Sequence, residues 1–263
     1  MAVKIKDSPK NGRKKHKGEK MKKIQRIILA FMLGIVPIQS AWADSKADAL
    51  ANAALKGKLE QVKTLIEKEG VDINAKESEI GATALMGASM AGNLEVVQYL
   101  INKGADINAK DNEGGTALIY ASGGGHLEVV KALVEGKSGL LSMFSKGADI
   151  NAKSDSGFTA LMSATNGGHL EVVKYLINKG ADINDKDNEG RTALMLASGK
   201  GHLEVVKYLL SKGANVNAVV SIETKGVVLY SGTALDSAIN NKQHKVVEVL
   251  RKAGAKTAKE IQK

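Results

Sequence analysis

One short phrase, Thr-Ala-Leu, constrains this chain more than any other feature. It stands at Thr83-Ala84-Leu85, Thr116-Ala117-Leu118, Thr159-Ala160-Leu161, Thr192-Ala193-Leu194 and Thr233-Ala234-Leu235, with Thr spacings of 33, 43, 33 and 41. Gly-His-Leu-Glu-Val-Val follows three copies, at His126, His169 and His202, and Asn93 holds the His place in a fourth. Gly-Ala-Asp-Ile-Asn comes next, at Gly104, Gly147 and Gly180, with Gly213-Ala-Asn-Val-Asn as a variant. A unit this short cannot bury its own apolar face, so the chain must stack one unit on the next.

Residues 187–218 show how a unit works. Thr192 precedes a first helix and its hydroxyl can cap the N-terminus. Leu194 and Ala197 recur at helical spacing and face inward. Small residues at Ala88, Ala121, Ala164, Ala197 and Ala238 let neighbouring helices approach closely. Gly201 ends the first helix. A second helix is predicted from Glu204 to Leu210, packing Val205, Val206, Leu209 and Leu210 into the stack. Gly213 then turns the chain into an extended finger through Asn215-Val216-Asn217.

The period and these phrases resemble the ankyrin repeat over residues 46–256. The resemblance implies a mostly α solenoid of about six helix-turn-helix repeats with β-hairpin fingers. The repeats are placed at 45–76, 77–110, 111–153, 154–186, 187–218 and 219–256 within a domain spanning 44–263. The first copy lacks the Thr and the last ends in a polar tail, as solenoid caps do. The family's Thr-Pro-Leu-His is here Thr-Ala-Leu followed by Met86, Ile119, Met162, Met195 or Asp236. Ala is a good helix former at that place, and Met and Ile substitute apolar packing for a side-chain bond.

The formal net charge of +10 invites a nucleic-acid or anionic-membrane reading. Its distribution answers that. Residues 1–26 carry 11 Lys/Arg against Asp7 and Glu19. The short apolar run Ile27–Ile38 and the small-residue exit Ala41-Trp42-Ala43 follow, with Asp44 next. That order describes a secretory signal peptide at 1–43, cleaved between Ala43 and Asp44. Met21 begins a compact signal peptide by itself, so it is a candidate true start. From Asp44 onward 27 basic residues face 26 acidic ones, a net of +1. The expectation is a periplasmic or secreted protein, with no nucleic-acid partner and no stable membrane insertion after cleavage.

Catalytic chemistry is hard to find. The chain has no Cys, which excludes disulfides, thiolate metal sites and a Cys nucleophile. His126, His169 and His202 share one register position and are therefore expected one repeat apart, too far for a common ion. They are read as structural turn histidines, while His244 falls out of register behind Gln243. Gly136-Lys137-Ser138 mimics a phosphate loop without its first Gly. Asp185–Gly190 mimics a calcium loop, but the twelfth position is Leu196 instead of Glu. No activated nucleophile or acid/base pair stands outside the repeat pattern. The chain is expected to be a non-enzyme without metal or cofactor.

What remains is a surface. The resemblance implies partner binding by finger tips and the concave helix face. Carried over, the tips are Asn112, Glu113, Asp155, Asn188 and Glu189, with Phe158 and Arg191 just before a Thr. Tyr120 and Leu196 lie on the helix face. An insertion near 135–145 adds Leu140, Leu141 and Phe144, which either tuck against the stack or meet a partner. A second insertion, 219–231, reads as a hairpin finger around Thr224-Lys225-Gly226. The functional expectation is a monomeric scaffold binding an unidentified protein. Alternatives are a secreted effector or toxin-neutralising protein on the same fold, or an enzyme or cofactor-binding protein.

Overall fold

The computed structural model describes residues 45–136, 146–224 and 227–263. The helices come in six pairs: α1 (Lys46–Leu55) and α2 (Leu59–Lys63, continued by a π-helical turn Thr64–Lys68); α3 (Ala84–Met90) and α4 (Leu94–Asn102); α5 (Ala117–Gly123) and α6 (Leu127–Glu135). They continue with α7 (Ala160–Gly167) and α8 (Leu170–Asn178), then α9 (Ala193–Lys200) and α10 (Leu203–Ser211). The sixth pair is α11 (Ala234–Asn240) and α12 (His244–Lys252), closed by a short α13 (Ala258–Ile261). Each first helix packs on the first helix of the next pair, and each second helix on the next second helix. The repeating chain is therefore a stack of helix pairs, as its period requires. The second helix of the fifth pair is one residue longer at each end than the sequence predicts.

One apolar core runs through all six pairs. Leu50, Leu85, Leu118, Leu161, Leu194 and Leu235 supply its first-helix side. Ala53, Ala88, Ala121, Ala164, Ala197 and Ala238 are buried beside them, so these helices meet without a long side chain between them. The short first helices start alike. Each Thr is extended, and its hydroxyl accepts the N–H three residues on, of Met86, Ile119, Met162, Met195 or Asp236, at 3.2–3.4 Å. Such a cap contributes about 1 kcal/mol. In the first repeat Asp48 occupies the Thr register and the helix begins earlier, capped by Ser45. The Asp48 carboxylate instead accepts the N–H and hydroxyl of Ser78 in the next repeat.

The fingers are mostly turns. Strand pairing among the described residues is confined to an isolated Lys76–Thr83 bridge and one hairpin. In that hairpin β1 (Val220–Thr224) runs antiparallel to β2 (Val227–Gly232), with a register shift between Ile222 and Glu223. It is the hairpin finger expected of the second insertion. No helix among the described residues is long and apolar enough to cross a membrane. The leader, its Ala43-Asp44 junction, and Leu140, Leu141 and Phe144 lie outside the described residues.

Candidate protein-binding surface

The repeated polar side chains are spent on joining repeats. At the turn between paired helices, Nε2 of His126 donates to the Met90 carbonyl at 3.0 Å. His169 does the same to Gly123 at 2.9 Å, and His202 to Asn166 at 3.0 Å. A carbonyl only accepts, so Nε2 carries the proton in each ring and cannot ligate a metal there. Asn93 plays the same part with an amide, donating to the Ala54 and Leu55 carbonyls at 2.9 Å each. Gly92, Gly125, Gly168 and Gly201 lie under this ladder with φ of +73° to +78°. A Cβ on them would come within 2.6 Å of the next repeat's His or Gln243 side chain. Backbone conformation and the neighbouring repeat both demand glycine there.

A second ladder runs along the base of the fingers. Asn74 Oδ1 accepts the Asp106 N–H at 2.8 Å, Asn108 that of Asp149 at 2.8 Å, and Asn151 that of Asp182 at 3.0 Å. Asn184 and Asn217 continue it to Asn215 and Lys256. The Lys76 ammonium reaches the Lys110 carbonyl at 2.7 Å, and Lys110 that of Lys153 at 2.8 Å. The fingers are thereby fixed to one another even where no strand pairing holds them.

Four finger tips are shaped by a side chain that sequence reasoning missed, a buried carboxylate in three and the half-buried Ser154 in the other. Glu77 accepts the N–H groups of Glu79, Ile80 and Ala82. Asp111 accepts those of Glu113 and Gly115, and the hydroxyl of Tyr120. Ser154 takes that of Phe158. Asp187 takes those of Glu189 and Arg191, and the Arg191 Nε at 2.7 Å. The signal was available: Asp111, Ser154 and Asp187 all stand five residues before the capping Thr. Glu77 stands six before, where the loop is one residue longer and the longer side chain compensates.

The expected site residues fall into three groups. Phe158 and Arg191 come together across adjacent fingers, with the guanidinium 5.7 Å from the ring centroid. Arg191 is further held by Asp187 and by Glu189, whose Oε2 lies 3.0 Å from Nη1. Tyr120 is half-buried, and its hydroxyl is taken by Asp111. Burial first, then the Asp111 carboxylate, push its phenol far above the usual value. Its hydroxyl is therefore already engaged within its own repeat. Asn112, Asp155 and Asn188 are exposed but serve as links: Asn112 N–H donates to Ile80, Asp155 N–H to Glu113, and Asn188 Nδ2 to Asp155 at 2.7 Å. Partial burial first, then the charges of Asp111 and Asp155, raise the Glu113 carboxyl. Leu196 is half-buried on α9 at the register of Tyr120.

No group of three or more His, Asp or Glu among the described residues is placed to hold a metal. In the calcium-loop mimic, Asp185 pairs with Lys153 and Asp187 with Arg191.

Family comparison matches the profile of ankyrin repeats in three copies at residues 50–141 and 135–220. A second ankyrin-repeat profile matches residues 194–251. The chain is 44% identical over 68 residues to ankyrin repeat and SAM domain-containing protein 6 of Rattus norvegicus, 26% of this chain and 8% of that protein. It is 43% identical over 61 residues to alpha-latrocrustotoxin-Lt1a of Latrodectus tredecimguttatus, 23% of this chain and 4% of the toxin. A 57-residue stretch, 22% of this chain, is 44% identical to palmitoyltransferase akr1 of Schizosaccharomyces pombe and spans 9% of it. The match thus covers under a tenth of each of these relatives.

Proposed function

The chain belongs to the ankyrin-repeat family, and on that premise we propose that it is a non-catalytic protein-binding scaffold acting in the periplasm. The observation that carries the reading is the Phe158–Arg191 pair. These two residues break the repeat pattern, belong to neighbouring fingers, and are held in one geometry before any partner arrives. Aromatic and Arg side chains are favoured interface anchors. Pre-ordering them lowers the entropic cost of association. Arg191 has donors left after Asp187 and Glu189 are served, so an acceptor on the partner can complete it. Leu196 and the Tyr120 ring extend the contact from the finger tips onto the first-helix face. Export is supported by the composition of the first 43 residues.

The test is crosslinking and pull-down from the periplasmic fraction with the wild type, Phe158→Ala and Arg191→Ala. Each substitution is expected to deplete one specific partner at least tenfold, about 1.4 kcal/mol in binding. Retention of every specific partner by both variants sinks the assignment. N-terminal sequencing of the exported protein is expected to begin at Asp44; a start within the leader refutes the cleavage site.

A further inference from the structure

The C-terminal end of the stack is built differently from every internal repeat, and it points to a second interaction surface. Its distribution of charge is hidden by the near-neutral total. Residues 44–239 carry 20 basic and 24 acidic side chains, whereas 240–263 carry seven basic and two acidic, a net of +5 in 24 residues. Arg251 is held by Glu260 at 2.8 Å, and Lys252 by Glu248 at 2.7 Å. Lys242, Lys245, Lys256, Lys259 and Lys263 form no ion pair among the described residues.

Several positions that are apolar or glycine in the internal repeats are polar in the last one. Met86, Met162 and Met195 become Asp236, Leu203 becomes His244, and Leu210 becomes Arg251. Gly92, Gly125, Gly168 and Gly201 become Lys242, which keeps the left-handed backbone at φ +57° and is the one non-glycine residue to do so among those described. In the internal repeats a Cβ there strikes the next repeat's ladder side chain. Lys242 therefore bars another repeat from stacking in register, and it holds a backbone conformation that glycine would hold with less strain.

One position goes the other way. Ala54, Ser89, Ser122, Thr165 and Ser198 are fully or almost fully buried at 0% exposure, and their equivalent in the last repeat is Ile239, 44% exposed. Ile261 on α13 is 38% exposed, and these two are the exposed large hydrophobics among the described residues. The α13 helix is fastened to the same end by the Ala258 N–H on Asp236 at 2.7 Å and by the Arg251–Glu260 pair. A small buried residue has thus become a large exposed apolar one in a repeat where Asp236, Lys242, His244 and Arg251 went the other way.

We propose that this end docks peripherally on an anionic lipid surface, with Ile239 and Ile261 entering the headgroup region and Lys242, Lys245, Lys256, Lys259 and Lys263 of the same terminal segment supplying positive charge to the phosphates. Lysine is a hydrated point charge on a flexible stem, suited to a diffuse layer of headgroups. Protein interfaces are instead poor in Lys and rich in Tyr, Trp and Arg; here the one Arg is already paired. Nucleic-acid surfaces add stacking aromatics, and none stands in residues 240–263. The surface is separate from the Phe158–Arg191 site and does not depend on it.

The full chain has no Cys, so Gln262→Cys supplies a single thiol for an environment-sensitive dye, with Gln98→Cys on α4 as the control. The vesicles are phosphatidylcholine, alone or with about a third phosphatidylglycerol. Dye at position 262 is expected to brighten and be quenched by spin-labelled lipid on the anionic vesicles only, and dye at 98 to stay in water. Lys245→Glu with Lys259→Glu should raise the half-saturating lipid concentration about tenfold or more, and added salt should release the protein. Ile239→Ser restores the residue of the other repeats and should weaken docking at unchanged Tm. Lys242→Gly should raise Tm while weakening docking, a split that a purely structural lysine would not give. The proposal is overturned if the protein pellets with anionic vesicles while the 262 dye stays in water, since the basic leader then holds it. It is equally overturned if duplex DNA or an acidic peptide alters the 262 dye at lower concentration than the vesicles do.

Discussion

Each repeat has two polar ends, a helix–helix turn and a finger tip, and they treat their side chains in opposite ways. At the turn, His126, His169 and His202 are the same residue making the same bond to the preceding repeat. At the tip, the residue before the Thr is Ala82, Gly115, Phe158, Arg191 or Gly232, and where it is large it faces outward over its neighbour. Repetition marks a group that bonds to another copy of the same surface, so it must match from repeat to repeat. Variation marks a group whose partner is not a repeat. An identical histidine in three places is therefore a weaker sign of chemistry than a phenylalanine or arginine in one.

The contrast can be broken most forcefully at the turn. His169→Ala removes a central rung and leaves the Gly123 carbonyl without its donor, at a cost of about 2–3 kcal/mol. Thermal or urea unfolding should show it, and a loss under half a kilocalorie would mean the ladder is ornamental. Asn151→Ala deletes the bonds to Asp182 N–H and, at 3.3 Å, to the Gly180 carbonyl. Both lie at the surface, so a smaller loss of about 1–2 kcal/mol is expected. In a stack of nearest-neighbour contacts, either change should begin to separate unfolding of the two flanks into steps. Arg191→Ala takes the guanidinium from the buried Asp187 carboxylate, which keeps two backbone N–H donors, so a loss of only about 1 kcal/mol is expected while partner capture is abolished. A larger loss of stability would move Arg191 to the structural side of the divide.

The smallest effect sharpens the contrast at the last repeat. Hydrogen bonding from Arg251 first, then from the backbone and hydroxyl of Thr257, holds the Glu260 carboxyl down to about 2. A depressed carboxylate stabilises the fold above its unfolded value of 4.5, and that contribution is lost as pH falls through the folded value. Between pH 4.5 and about 2, α13 should loosen before the stack does. Lower amide protection in Ala258–Ile261 at pH 3 than at pH 6, each taken relative to the unfolded-chain exchange rate at that pH, would register it, and the difference should vanish in Glu260→Gln.

Much of this was legible in the chain. The number of repeats, the capping threonines, the glycine breaks, the inward alanines and the structural part of the histidines all follow from what recurs. The hairpin in the second insertion was readable because two β-rich runs flank a turn. The finger-tip acids were not read, although Asp111 and Asp187 recur. A carboxylate five residues before a Thr has no meaning until the loop folds back and aims N–H groups at it. The Thr missing from the first repeat concealed Asp48 in its register and Ser45 as the substitute cap. Tyr120 looked free in the sequence, and only the backbone at Gly115 brings Asp111 to its hydroxyl.

The sequence by itself determined the stack. Its period sets the unit, and a unit with an unburied apolar face must find a copy of itself. The tertiary structure alone decided which polar side chains remained to spend. Hydrogen bonds between repeats join residues 29 to 46 positions apart in the ladders described, a separation over which local pattern carries no directional information. Only folding shows that the histidines and asparagines are consumed, that Phe158 and Arg191 are brought together, and that Ile239 is left in the open.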